Sequence, residues 1–400
     1  MIIFLGSVYP QSLLTELSRR KLFADYPADI FQHSLLMGLD AHHDDLRVVS
    51  SPVIRASYSS VKDICGRCMF SHKNYDEDKK DVCVGSLPIP GLQMLVELWR
   101  VYWTTRKMAA EARQKPNLII YALHSPFLMA AVMLKKKLGT TCVVVPDLPE
   151  FMSKRGNIIK RMGKKIDSVI INSCLKRLNS FVLLSPYMRD KLPIKDKPWV
   201  LMEGIFDTNT IPQPSVKSKE RIVLYCGSIS RQYGIVQLLQ AFTKISSDNY
   251  RLWICGRGDG EDDVISMAKD DTRIKYFGVV SHGEVLVLQQ RATVLINPRS
   301  SAGEYTKYSF PSKTMEYLAS GTPTIMCHLP AIPKEYDDYV FYIADESVEG
   351  IKNKIEEVCN MKQEELDDFG KKAALFIKTK KNAFIQAEKI LKLLAETTEV

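Results

Sequence analysis

The residues best equipped for chemistry lie between Asn297 and Met326, in the run NPRSSAGEYTKYSFPSKTMEYLASGTPTIM. Residues 292–296 just before it are apolar and read as a buried strand. Ser320-Gly321-Thr322-Pro323 closes one element, and residues 324–326 open the next. Between them, Tyr308-Ser309-Phe310-Pro311-Ser312 leads into a short helix expected over 313–319. Pro suits a first helical turn, whose N–H groups have no partner inside the helix. Ser309 or Ser312 can cap it, and the sequence does not choose between them. A helix start with hydroxyls, unpaired N–H groups and Lys313 beside it is suited to an anion. Glu316, four residues after Ser312, shares that face. Cations and amides for phosphates, followed by one carboxylate for ribose hydroxyls, are what a nucleoside-diphosphate site needs.

The remaining chain must position this stretch. Four hundred residues suffice for two to three domains. Hydrophobic content of 46% and charged content of 25% are those of an ordinary globular protein. No run reaches the length a membrane span needs. The start, MIIFLGSVYP, lacks a basic leader and a small-residue cleavage site, so it is expected to be strand one rather than a signal peptide. Nine irregularly spaced cysteines point to reduced thiols.

The first half reads as strands alternating with helices, hence a parallel sheet. Residues 117–122 form a buried strand that delivers His124 to its carboxyl end, where open α/β sheets bind ligands. A further strand, 142–145, ends near Asp147 and Glu150, which either face the same edge or cap the next helix. A helix over 92–113 places Leu95, Leu98, Trp99 and Trp103 at core spacing. The polar run TNTIPQPSVKSK marks a linker, taken as 206–220. The pattern then restarts with a strand over 221–226 and a loop from Gly227 and Ser228 to Gly234. Another strand runs into Gly256-Arg257-Gly258-Asp259-Gly260. Glycines in such loops let backbone approach phosphate closely.

The block FPSKTMEYLASGTPTI resembles the donor-binding segment of the retaining glycosyltransferases of family 4. The resemblance is strongest over 222–325 and weaker before Asn117. It implies a GT-B fold: two Rossmann-like, doubly wound α/β domains facing across a cleft. The acceptor-side domain would span 1–205 with a returning helix over 382–400, and the donor domain 221–381. It implies that Glu316 grips the donor ribose, that Ser309, Phe310, Pro311, Ser312 and Lys313 line the donor, and that backbone at Gly278 reads the base. Gly227, Ser228 and Gly256 would border the diphosphate. The family usually ends the first loop with Arg-Lys-Gly; here Gln232 and Tyr233 occupy those places, so Arg231 is the expected phosphate cation, aided by Lys313 or Lys307. The family often carries a second glutamate separated from Glu316 by seven residues, where this chain has Tyr308, so Glu304 is the substitute expected from the loop. His124 matches the family's histidine near the donor sugar. Gly6 and Ser7, with Asp147 and Glu150, become acceptor-side candidates.

Charge adds a partner. Residues 1–200 hold 30 Lys+Arg against 18 Asp+Glu, a balance of +12, whereas 201–400 hold 25 against 28, a balance of −3. No nucleic-acid motif accompanies the excess, so nucleic acid is not expected. The helix expected over 153–178 carries eight cations and one acid beside a stripe of Ile158, Met162, Ile166, Val169 and Ile170. The stripe is expected in the core and the charges against anionic lipid, on the inner face of the cell membrane in the cytoplasm. Cys65, Cys68, His72 and Cys83 lack the second half of a zinc site, so no metal is expected. No cofactor is expected either; the nucleotide-diphosphate sugar is substrate. The function implied is transfer of that sugar to a lipid-linked or glycan acceptor in cell-surface polysaccharide synthesis. A GT-B sugar-nucleotide epimerase and a non-catalytic nucleotide-sugar binding protein are the alternatives.

Overall fold

Runs such as Ile2–Gly6 and Thr141–Val145 are apolar at nearly every position and wholly buried, the signature of strands covered on both faces. The computed structural model describes all residues except Asp44, 55–57, Cys65, 74–78, Pro88, 90–91, 149–157, Lys195, 207–216, Ser312 and 399–400, and the side chains of 58–59 and 158–160. Glu150, Ser312, Cys65 and most of the expected linker therefore lie outside the described residues. The chain forms two compact units, 1–205 with 383–400, and 206–382.

The first unit runs β1 (Ile2–Gly6), α1 (Gln11–Arg19), α2 (Tyr26–Asp40), β2 (Leu46–Ser50), α3 (Tyr58–Val61), β3 (Cys68–Phe70), β4 (Asp81–Cys83), α4 (Gln93–Glu111), β5 (Asn117–Tyr121), α5 (Ser125–Leu134), β6 (Thr141–Val145), α6 (Ile158–Leu175), β7 (Ser180–Leu183), α7 (Met188–Lys191) and β8 (Trp199–Leu201). Its sheet has the order β3-β4-β2-β1-β5-β6-β7-β8 and is parallel apart from β3. The register pairs Phe4 with Val48 on one side and with Ile119 on the other. The order turns outward in both directions from β1 and β5, which puts the loops after those strands at a switch point.

The second unit continues with β9 (Arg221–Cys226), α8 (Ile235–Thr243), β10 (Tyr250–Cys255), α9 (Glu261–Asp270), β11 (Ile274–Tyr276), α10 (His282–Arg291), β12 (Val294–Asn297), α11 (Lys313–Ala319), β13 (Thr324–Cys327), β14 (Phe341–Ile343), α12 (Val348–Cys359) and α13 (Gln363–Lys380). Its sheet is parallel throughout, in the order β11-β10-β9-β12-β13-β14. The last helix, α14 (Ala383–Thr398), belongs to the first unit and lies along α2. A Cβ at Gly38 would sit 2.1 Å from the Ala383 carbonyl oxygen, so only glycine permits that approach. His42 stacks on Phe384 with ring centres 3.8 Å apart, and Ile390, Leu393 and Leu394 are buried. Each such burial contributes about 1.5–3 kcal/mol as an upper bound.

Two expectations need correction. In α4 the buried face is Glu97, Val101, Thr104, Thr105 and Met108, whereas Leu95, Trp99 and Trp103 point outward, Trp99 with 63% of its surface exposed. In α6 the expected core stripe is likewise outside: Met162, Ile166 and Val169 are exposed, and Ile171, Cys174 and Leu175 face inward. Periodicity identifies an apolar stripe but not what covers it.

The irregular segment before α4 is held by an ion triad. His72 Nδ1 lies 2.6 Å from Asp81 Oδ2 and Nε2 lies 2.8 Å from Asp40 Oδ2, so both ring nitrogens are committed to carboxylates. The other Asp81 oxygen accepts the Val48 amide at 2.8 Å, tying the triad to β2. Burial alone would lower the His72 pKa, but the two carboxylates outweigh it and lift it to about 9. The eight cysteines among the described residues are thiols, and the Cys83 thiol beside Cys68 brings Cys68 down to about 7. Among the described residues no helix is long and apolar enough to cross a membrane.

A raised histidine pKa stabilises the fold fully below its unfolded value and is lost as pH climbs through the folded one. The melting temperature should therefore fall as pH rises through about 9. His72→Ala should flatten that alkaline fall and cost about 3 kcal/mol near neutral pH, because it leaves two carboxylates facing each other; an unchanged pH–Tm profile in the variant would refute the triad's role.

Candidate functional site

The second unit's cavity is built where β9 and β12 end. Tyr317, two residues from the end of α11 and fully buried, places its hydroxyl on the last residue of β9: it donates to the Cys226 carbonyl and accepts from the Cys226 amide, each at 2.8 Å. That joint holds the loop at Gly227 and Ser228 opposite Ser309, Phe310, Pro311 and Lys313, and all six line a cavity of about 340 Å³. Gly256 shapes the floor. Its amide donates to the Gly278 carbonyl at 2.8 Å, and a Cβ on it would fall 1.8 Å from the Gly227 carbonyl oxygen. At φ +127° that backbone is open to glycine alone. Gly256 and Gly278 thus set the loop's path rather than lining the cavity.

Two cations line the cavity, Lys313 and Arg299, and among the described lining residues there is no carboxylate. Arg299 is only 8% exposed, its guanidinium lies 5.2 Å from the Tyr233 ring centre and 4.8 Å from that of Tyr305, and its Nε has no hydrogen-bond partner. A buried, incompletely satisfied guanidinium is a strong attractor for a phosphate oxygen. α11 has only seven residues, so the cavity's positive charge rests on these cations more than on a helix dipole.

Arg231, the expected phosphate cation, is elsewhere. It is exposed, its Nε donates to Asp263 at 2.7 Å, its backbone amide donates to Asp259, and it does not line the cavity. Asp263, in the first turn of α9, holds it, and the arginine that lines the cavity is Arg299. The signal available in sequence was position: Arg299 follows the strand ending at Asn297, at the carboxyl edge where ligands bind. Glu304 and Lys307 are exposed on a short 3-10 helix, Glu304–Lys307, and do not line the cavity.

Glu316 stands in the first turn of α11, behind Lys313. Its Oε1 accepts from Gln289 Nε2 at 2.6 Å and lies 3.6 Å from Lys313 Nζ; its Oε2 lies 3.8 Å from His282 Nδ1. Gln289 is fully buried in α10, so it fixes the direction in which the carboxylate points. Neither Gln289 nor His282 was evident in the sequence, because both come from a helix some thirty residues away.

At the carboxyl edge of the first unit's sheet, His124 occupies the N-cap position of α5 without capping it. Its Nε2 is 2.9 Å from Oε1 of the buried Glu97, and its ring packs nearly perpendicular to that of Phe127 with centres 4.7 Å apart. Glu97 was missed because an acid on a helix face reads as solvated. Gly6 ends β1, and Ser7 is paired twice with Gln32, donating its amide at 2.8 Å and accepting from Nε2 at 3.1 Å. Burial raises the Asp147 carboxyl above its ordinary range, reinforced by Asp25 nearby. Ser7, His124 and Asp147 thus follow β1, β5 and β6, three neighbouring strands.

Residues 207–376 match the sequence family described as Glycosyl transferases group 1. A search of curated proteins finds no match. Among solved structures, sucrose-phosphate synthase from Thermosynechococcus elongatus superposes with a TM-score of 0.66 at 13% identity, over 99% of this chain and 98% of that one. HepE of Anabaena, solved in complex with UDP, gives 0.63 at 12% identity over 99% of both chains. A glycosyltransferase from Rickettsia africae gives 0.64 at 12% identity, over 99% of this chain and 98% of that one. At such identities the likeness establishes the fold, which is GT-B. The match to glycosyl transferases group 1 lies within the second unit.

Arg299→Met keeps the bulk between Tyr233 and Tyr305 and removes the charge. It should weaken pyrophosphate binding, measured by calorimetry, at least tenfold, the loss expected of one charge-assisted hydrogen bond worth about 1.5–3 kcal/mol. Arg231→Met should change it less than about threefold, since an exposed pair is worth under about 1 kcal/mol. The reverse ranking would return the phosphate site to Arg231.

Proposed function

We propose that this protein is a retaining family 4 hexosyltransferase that moves a sugar from a nucleoside-diphosphate donor to a lipid-linked or glycan acceptor in cell-surface polysaccharide synthesis. One observation carries the reading: a cavity with two cations and, among its described lining residues, no carboxylate, and, one turn behind Lys313, a carboxylate held in place by Gln289. Lys313, Arg299, Ser309 and the amide of Ser228 hold the diphosphate, and Ser312 joins them from the resemblance. Glu316 accepts hydrogen bonds from the ribose hydroxyls. HepE of Anabaena has been solved with UDP-glucose, which fits a donor of this kind.

Departure of the nucleoside diphosphate places negative charge on its terminal phosphate, and preformed cations stabilise that charge without reorganisation. The acceptor hydroxyl attacks the anomeric carbon from the face the diphosphate leaves. The bond from that carbon to the diphosphate oxygen breaks, the bond to the acceptor oxygen forms, and the acceptor proton passes to the departing diphosphate. Configuration is thereby retained. The chemistry needs no metal where side chains neutralise the leaving group. His124 orients sugar hydroxyls, and Glu97 fixes its ring. Ser7 and Asp147, at neighbouring strand ends, belong to the acceptor side, with Gly6 as the turn that presents Ser7.

The basic helix α6 supports contact with an anionic membrane on the cytoplasmic side. Arg161, Lys164 and Lys165 are exposed beside Met162, Ile166 and Val169, the arrangement of a helix that lies in a lipid interface. A lipid-linked acceptor would be met there.

Purified protein incubated with a panel of nucleotide sugars should slowly hydrolyse one of them, with retention of configuration in the released sugar. Glu316→Ala should reduce kcat/KM at least a hundredfold, of the order of 3 kcal/mol in transition-state binding. Gln289→Ala should raise KM with a smaller change in kcat. Donor binding without any turnover would instead favour a binding module, and inversion would overturn the retaining assignment.

A further inference from the structure

A cavity of about 630 Å³ in the first unit lies along the outward side of α4. Trp99 and Trp103 of α4 form one wall; Arg67, Arg100, Arg106 and Lys107 surround it. The Arg106 guanidinium lies 4.8 Å from the Trp103 ring centre, and Arg100 is fixed by donating to the Val84 carbonyl at 3.2 Å. A neighbouring cavity shares Arg67 and Lys107 and adds Arg47, Lys79 and Lys80 against a single acid, Glu111, which pairs with Arg47 at 2.8 Å. Among the described residues, seven cations and one acid thus line the two adjoining cavities. Above it Leu92, Met94 and Leu95 are exposed together with both tryptophans.

We propose that this face of α4 is a lipid-binding surface, in which the basic cavity holds the phosphate headgroup of an anionic phospholipid while Trp99, Trp103 and Leu95 enter the interfacial layer of the bilayer. Tryptophan settles at the headgroup level because its ring is apolar and its N–H polar. Cations ranged beside such rings meet anionic headgroups. The occupant follows from the charge: a second copy would bring seven like charges against seven, and a nucleic-acid backbone would leave Leu92, Met94 and Leu95 in water. The fold supplies an independent observation. α4 packs on α5 and α5 on α6, so the three helices form one layer, and Met133 on α5 is exposed between the outward residues of α4 and of α6. The inference extends the membrane contact proposed for α6 to a second, separately testable element, and it does not depend on the donor or the reaction.

The test uses the full chain with Trp199→Phe and Trp253→Phe, so that Trp99 and Trp103 alone report. Vesicles of phosphatidylcholine with phosphatidylglycerol should shift their emission to the blue, and brominated acyl chains should quench it; phosphatidylcholine vesicles or soluble glycerol phosphate should do neither. Arg106→Glu with Lys107→Glu should lower the vesicle partition coefficient roughly tenfold or more, the order expected on removing cations near an anionic surface, with melting temperature and donor hydrolysis unchanged. Met162→Ser with Ile166→Ser addresses α6: it should weaken partitioning yet leave the shift intact at saturating vesicles. Absence of a shift or of quenching, or indifference to charge reversal, overturns the proposal. A shift with glycerol phosphate alone assigns the cavity to a soluble anion and overturns it too. Each readout stands whether or not the wild type turns over a nucleotide sugar.

Discussion

The cavity proposed to take the donor depends on one buried hydroxyl. Its two halves come from segments ninety residues apart, the turn after β9 and the segment entering α11, and nothing local would keep them in register. Tyr317 does so by satisfying both the amide and the carbonyl of Cys226, the last residue of β9. A buried pair of bonds to one residue fixes direction as well as distance, and losing the hydroxyl would leave two backbone groups unpaired at about 1–3 kcal/mol apiece. The rest of the cavity follows. With Cys226 anchored, the turn at Gly227 runs flat over Gly256, and Lys313, one helical turn before Tyr317, is carried to the cavity's rim.

A second layer of constraint decides what the charges face. Lys313 and Arg299 are the cavity's cations, yet Lys313 also lies near Glu316 and Arg299 is enclosed by two tyrosines. Were the Glu316 carboxylate free to swing, it would neutralise Lys313 outright. Gln289 prevents this by donating to Oε1 from the neighbouring helix, holding the carboxylate 3.6 Å from the amine rather than in a close pair. The aromatic sandwich around Arg299 keeps its charge desolvated, so an arriving anion meets a guanidinium with little water to displace. A cation half-restrained and another half-dehydrated make a stronger anion trap than two solvated lysines would.

What was legible in the sequence was whatever a short stretch determines by itself. The helix of Lys313–Ala319, its start after Pro311 and the place of Glu316 in its first turn follow from spacing alone, as do buried strands such as Thr141–Val145. Partners contributed from far away were not legible. Arg299 lies against the rings of Tyr233 and Tyr305 at the cavity, whereas Arg231 is paired with Asp263 of α9 away from it. Gln289 and Glu97 are ordinary residues on helices until Glu316 and His124 are brought beside them.

The amphipathic helices carry the same lesson in a different form. An apolar stripe at helical spacing has two energetically equivalent destinations, the protein core and a lipid interface, since each removes about the same surface from water. In α4 the buried side is occupied by Glu97, Thr104 and Thr105, and the tryptophans turn outward. Glu97 must reach His124, and that demand fixes the rotation of the whole helix: with residue 97 inward, residues 95, 99 and 103 have nowhere to go but out. The geometry that seats the histidine at the sheet's edge is therefore also the geometry that presents Trp99 and Trp103 at the surface. A change that freed α4 to bury its tryptophans would pull Glu97 away from the imidazole it holds, so the position of the histidine and the exposed aromatic face cannot be altered independently.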